Sequence, residues 1–99
     1  MKLHELKIKA KYYLDIVSGA KTFEIRKDDR DYKVGDLIKF NVIQTEEDKE
    51  NECFQYHIIP LYLSGEDKVF RITYILRNVP EYGLDKNYCI LGIRMLKPE

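Results

Sequence analysis

Cysteine is scarce: Cys53 and Cys89 are the two in 99 residues. Neither has a second Cys or a His at zinc-ligand spacing, which excludes a disulfide framework and a thiolate metal site. Two unpaired thiols fit a reducing compartment. No apolar run approaches the ~18 residues a membrane span needs, and no charged-then-apolar leader opens the chain. The expectation is a soluble, cytoplasmic protein. A net excess of charge is also missing. Lys plus Arg and Asp plus Glu both number 17, so the total carries no footprint of a typical DNA-binding domain. There are no internal repeats and no linker, so residues 1–99 read as a single domain. Nothing in the chain implies a cofactor or a metal.

What is present is unevenly placed. Residues 46–52 carry five acidic side chains and one Lys. Setting them aside leaves 16 basic against 12 acidic residues, a net of +4 on the body. An acidic, aperiodic insertion at about 44–52 therefore interrupts a mildly basic domain.

Most of the body alternates with a period of two. Leu3 to Ile8 predicts a strand, with His4, Leu6 and Ile8 on one side. Residues 10–18 change to helical spacing through Tyr12, Tyr13, Ile16 and Val17. Leu37–Ile43 returns to alternation, entered through Val34-Gly35-Asp36. Phe54–Leu63 reads as an edge strand because it holds Pro60, and Ser64-Gly65-Glu66-Asp67 as a turn. Val69–Leu76 is the plainest strand, with Phe70, Ile72, Tyr74 and Leu76 in phase. Residues 77–87 form a loop that contains Tyr82. Tyr88–Leu96 reads as a central strand that Gly92 kinks or bulges. Five or six strands with one or two short helices predict a small, mostly β (α+β) domain. A closed or nearly closed barrel hides the strand edges.

The chemistry concentrates at Ser18–Arg26. Gly19 ends the helix, since glycine takes the left-handed C′ conformation without a side-chain penalty. Beyond it, Phe23 and Ile25 alternate with Glu24 and Arg26, and the apolar pair is expected to face the core. Lys21, Glu24 and Arg26 then share one corner. Taken alone they are either a solvated ion-pair cluster or a polar site, with Lys27-Asp28-Asp29-Arg30-Asp31 as its rim. His4 is either a packing residue or part of that site. Tyr82 is either a lid over the core or a ring on which a base stacks.

Gly19-x-Lys21-x-x-Glu24-x-Arg26, between a helix and a set of strands, resembles the signature of the ASCH domain, of the PUA-like superfamily of RNA-associated barrels. His4-Glu5-Leu6-Lys7, Arg26-Lys27-Asp28-Asp29-Arg30-Asp31, Val34-Gly35-Asp36 and Leu91-Gly92 are similar to stretches of short phage and bacterial ASCH-like proteins of unassigned function. The resemblance spans nearly the whole chain. It implies an ASCH-type pseudo-barrel with a cleft at the signature corner. It also implies RNA or a nucleotide-like ligand, met by Lys21, Glu24, Arg26, Lys27, Arg30, His4 and Tyr82. One bacterial relative deacetylates N4-acetylcytidine, using Lys where Lys21 stands and Thr where Glu24 stands. Glu24 departs from that pattern.

Two mechanisms compete at the corner. In a binding module, Lys21 and Arg26 contact phosphate or a base edge. In a small hydrolase acting on a modified nucleoside or RNA, Lys21 and Glu24 are the catalytic pair. There Lys21 must shed its proton, which Arg26 favours and Glu24 opposes. A third class, a phage factor that docks on a protein partner, leaves no motif of its own.

Overall fold

The computed structural model describes residues 1–43 and 68–96. The acidic insertion, the Phe54–Leu63 strand reading with Pro60 and the 64–67 turn lie outside the described residues. The elements run β1 (Leu3–Lys9), α1 (Ala10–Val17), β2 (Phe23–Lys27), β3 (Leu37–Ile43), β4 (Val69–Leu76) and β5 (Tyr88–Met95). A 3-10 turn at Pro80–Tyr82 lies between the last two strands. The strands form one five-stranded sheet in the order β1-β3-β4-β5-β2. β1 and β3 are parallel and every other pair is antiparallel. The sheet curls into a half-barrel, the small α+β pseudo-barrel that the alternation predicts.

The concave face holds the core. His4, Leu6 and Ile8 of β1 point into it, as do Ile38 and Phe40 of β3 and Phe70 and Ile72 of β4. Cys89, Leu91 and Ile93 of β5 complete it. α1 packs on this face through Ala10, Tyr13 and Ile16. Tyr13 meets Phe40 edge-on with ring centroids 6.2 Å apart, and Phe40 meets Phe70 at 5.3 Å. Such edge-to-face pairs add to area burial by aligning ring quadrupoles. An eight-residue helix is marginal in isolation, so these contacts hold it.

Two departures from simple alternation shape the molecule. In β4 the phase slips between Ile72, paired with Ile93, and Tyr74, paired with Gly92. Thr73 is the extra residue of a β-bulge. Tyr74, expected in phase with Ile72, is turned outward and is 64% exposed. Gly92 fits this bulge: a Cβ there would lie 3.1 Å from Thr73 Oγ1. The second departure is β2. Its alternation is present but inverted. Glu24 is buried, Arg26 is half-buried, and Phe23 and Ile25 face outward. Glu24 and Arg26 pair with Leu91 and Cys89, whose side chains lie in the core. β2 therefore turns its charged side inward, at the sheet edge where the apolar core gives way to a cleft.

The two sheet edges, β1 and β2, are joined by arginine. Arg26 Nη1 donates to the Lys7 carbonyl at 2.8 Å, and Arg30 Nη1 donates to the Glu5 carbonyl at 3.0 Å. Guanidinium groups thus satisfy carbonyls that a closing strand would otherwise take, which manages the exposed edge of β1.

Candidate functional site

The helix end delivers Lys21 to the site. Gly19 has φ +89°, and its N–H donates to the Ile16 carbonyl at 3.1 Å. The backbone N–H of Lys21 then returns to the Asp15 carbonyl at 2.9 Å. The Ile93 N–H donates to the Thr22 carbonyl at 3.0 Å, and this bond starts the β2–β5 ladder. Lys21 is thereby fixed between helix and strand, with its side chain over the first residues of β2.

Glu24 is the centre of the arrangement. It is 5% exposed, and a buried carboxylate needs partners to offset desolvation. Lys21 Nζ contacts Oε1 directly, and Arg26 Nη1 lies 3.3 Å from Oε2. One carboxylate therefore holds two cations, and Arg26 passes the link on to the Lys7 backbone. Lys21 Nζ also lies 5.2 Å from the Tyr12 ring centroid and 5.3 Å from that of Phe23, within cation–π range.

These groups line a cleft of about 430 Å³ between the β1 and β2 edges. Lys7, Lys9, Lys21 and Arg26 give it four cations against the single carboxylate of Glu24, and Tyr12, Phe23, Ile8 and Ile25 give it apolar wall. The combination suits a ligand with both an anionic and a flat apolar part.

The structure brings together Lys21, Glu24 and Arg26 as the sequence suggests, and leaves the other candidates outside the cleft lining. Lys27 is exposed at the far end of β2, opposite Tyr88. Arg30 holds the seam through Glu5. Tyr82 is 83% exposed in its 3-10 turn. Tyr32 is a core residue. Burial pushes its hydroxyl above the ordinary range, partly offset by the charges of Arg26 and Arg30.

His4 has a partner that the sequence does not reveal. Its Nε2 is 2.9 Å from Asp36 Oδ2, and both residues are buried. The His4 ring lies against Tyr32 with centroids 4.8 Å apart. Asp36 also accepts the backbone N–H groups of Lys2 and Lys33, each at 3.1 Å. The hydrogen bond from His4 holds the Asp36 carboxyl below its usual range; burial opposes this, and the two N–H groups add to it. An ionised carboxylate only accepts, so Nε2 of His4 carries the donated proton. This pair ties the entry of β3 to the start of β1.

Sequence reasoning misses Lys7, Lys9 and Tyr12. Their only signal is position: they flank the junction of β1 with α1, which the fold sets beside β2. It misses the Arg77–Asp28 ion pair as well, at 2.9 Å, which lies next to Cys89. Among the described residues no group of three or more His, Cys, Asp or Glu is arranged to hold a metal ion. No helix among them is long and apolar enough to cross a membrane.

No curated protein matches the chain. A family model matches residues 3–93, which includes β1 to β4, β5 as far as Ile93 and all of the cleft lining. The chain belongs to that family, the domain of unknown function DUF3850.

Proposed function

We propose that the cleft binds RNA or a nucleotide-like ligand, as the resemblance to ASCH and PUA-like domains implies. The observation that supports this best is the convergence of four cations and two aromatic rings, around one buried carboxylate, in an open cleft. Phosphate is met by Lys21, Arg26, Lys7 and Lys9. A base lies against Tyr12 or Phe23, whose rings already receive the Lys21 ammonium. Glu24 sets the positions of Lys21 and Arg26. The whole chain has no net charge, so binding to bulk RNA is weak and salt-sensitive. A single nucleotide or short strand fits the cleft better than a duplex.

One observation favours a second reading. Lys21 Nζ and Glu24 Oε1 are in direct contact, a geometry through which a proton can pass. On this reading the same cleft hydrolyses a modified nucleoside.

The test is an equilibrium titration with nucleoside monophosphates and short single-stranded RNA at low and high salt, with product analysis. Lys21→Ala and Arg26→Ala are each expected to weaken binding about ten- to hundred-fold, the worth of a hydrogen bond to a charged group. Unchanged affinity in both variants would overturn the binding reading. Conversion of a modified nucleoside by wild type but not by Lys21→Ala would establish the hydrolytic one.

A further inference from the structure

The outward face of β2, β5 and β4 carries a row that starts at the cleft wall, at Phe23, and runs beyond the cleft. Phe23 pairs with Gly92, and Gly92 pairs with Tyr74. The row therefore reads aromatic, glycine, aromatic across three strands, with the rings about 10 Å apart at two inter-strand spacings. Gly92 puts no side chain between them. Phe23 and Tyr74 are 42% and 64% exposed. The next row, Ile25, Ile90 and Leu76, is apolar as well. Contiguous exposed apolar surface of this kind marks an interaction site.

Charge points to the occupant. On one side of the aromatic row Arg71 stands directly opposite Arg94. Like charges opposed across a ladder destabilise it, and among the described residues neither guanidinium has a carboxylate partner. On the other side Lys27 ends β2. The only acidic residue in these three strands is Glu24, which faces inward. The face thus offers stacking surface at its centre, cations at both margins and no carboxylate.

We propose that this face is a platform for single-stranded nucleic acid. Bases stack on Phe23 and Tyr74, and phosphates are met by Arg71 and Arg94 at one margin and Lys27 at the other. Phe23 also lines the cleft, so a strand whose end nucleotide enters the cleft continues over Phe23 onto the sheet. The inference rests on the nucleotide reading of the cleft and extends it from one nucleotide to a strand.

The experiment compares an unstructured oligoadenylate with adenosine monophosphate, by amide-shift titration and equilibrium binding. The oligoadenylate is expected to move the amides of Tyr74, Gly92 and Arg94, whereas the monophosphate moves only those of the cleft. Tyr74→Ala should weaken oligoadenylate binding about 5- to 150-fold, the range for loss of one base–aromatic stack. It should leave monophosphate binding unchanged. Tyr74→Phe keeps the ring and should bind like wild type. Arg94→Ala should reduce the salt slope by about 0.7. A folded Tyr74→Ala with wild-type oligoadenylate affinity overturns the platform. So does an oligoadenylate that leaves this face unmoved while the monophosphate still moves the cleft, which leaves the cleft reading standing. Shifts on this face with none in the cleft support the platform and defeat the cleft reading. Self-association through Tyr74 without any response to oligoadenylate overturns the platform in favour of a protein contact.

Discussion

Replacing Glu24 by alanine is expected to cost more stability than replacing Phe23 by alanine, the reverse of what the residue types suggest. Phe23 is 42% exposed. Burying a whole Phe side chain contributes about 1.5–3 kcal/mol, so truncation at a half-exposed site loses about 1–1.5 kcal/mol and leaves no enclosed cavity. Glu24 is different. Its removal leaves Lys21 and Arg26 facing each other without the carboxylate between them. Removing one partner of a fully buried pair costs about 3–5 kcal/mol. The side chains of Lys21 and Arg26 keep 18% and 22% exposure, and water screens them, so about 2–4 kcal/mol is the reasonable range. Denaturant unfolding gives both values directly, and in a domain of this size each kcal/mol moves the thermal midpoint by about 4–8 °C. Glu24→Gln, which keeps the shape and removes the charge, should lie between the two. A larger loss for Phe23→Ala than for Glu24→Ala would refute the inward orientation of Glu24 and with it the geometry of the site.

Two further outcomes follow from buried titratable groups. Asp36 has its folded pKa depressed below the 3.8 of an unperturbed carboxyl, chiefly by the hydrogen bond from His4. Its contribution is therefore complete above about pH 4 and is lost as pH falls through the folded value. Asp36→Asn should be less stable at neutral pH and should lose less on acidification, as thermal midpoints measured from neutral pH into strong acid would show; parallel acid profiles would contradict this. Cys89 is fully buried, and burial pushes its thiol up, with Asp28 adding to the shift and Arg77 opposing it. In a Cys53→Ser background it should react with a thiol reagent only as fast as the fold opens, and rapid labelling of native protein would show that β5 is not closed over it.

The inversion of β2 marks where sequence reasoning stops. Strands β1 and β3 read correctly because the middle of one face is apolar and the middle of the other is polar, with Glu5 and Lys7 in β1 and Lys39 and Asn41 in β3. Leu6 and Ile8 alternate with Glu5 and Lys7, so the phase has a single solution. In β2 the period is just as clear, but Phe23-Glu24-Ile25-Arg26 offers two phases. The apolar one is the natural choice for a strand in a wall. The charged one wins because β2 is the sheet edge, where Lys21 and the Lys7 carbonyl are available to satisfy Glu24 and Arg26. That is tertiary information, absent from the local pattern. β4 fails for a different reason. Phe70 and Ile72 are in phase with the core, but the bulge at Thr73 turns Tyr74 to solvent, and nothing local distinguishes that Thr from its neighbours. The signature corner was legible because the glycine stop and the following alternation fix Lys21, Glu24 and Arg26 within one turn and one strand. Lys7, Lys9 and Tyr12 were not, since they reach the cleft only through the fold. His4 was legible only as sharing a face with Leu6 and Ile8, either packed or part of the site, and its partner Asp36, thirty-two residues away, was not legible at all.

The most direct test of the nucleotide-binding account is an amide-shift titration of isotopically labelled protein with a nucleoside monophosphate at low and high salt. Shifts are expected to centre on Lys7–Lys9, Tyr12 and Lys21–Arg26, to diminish as salt is raised and to disappear in Arg26→Ala. An unperturbed cleft at saturating nucleotide, or shifts confined to other parts of the fold, would contradict it.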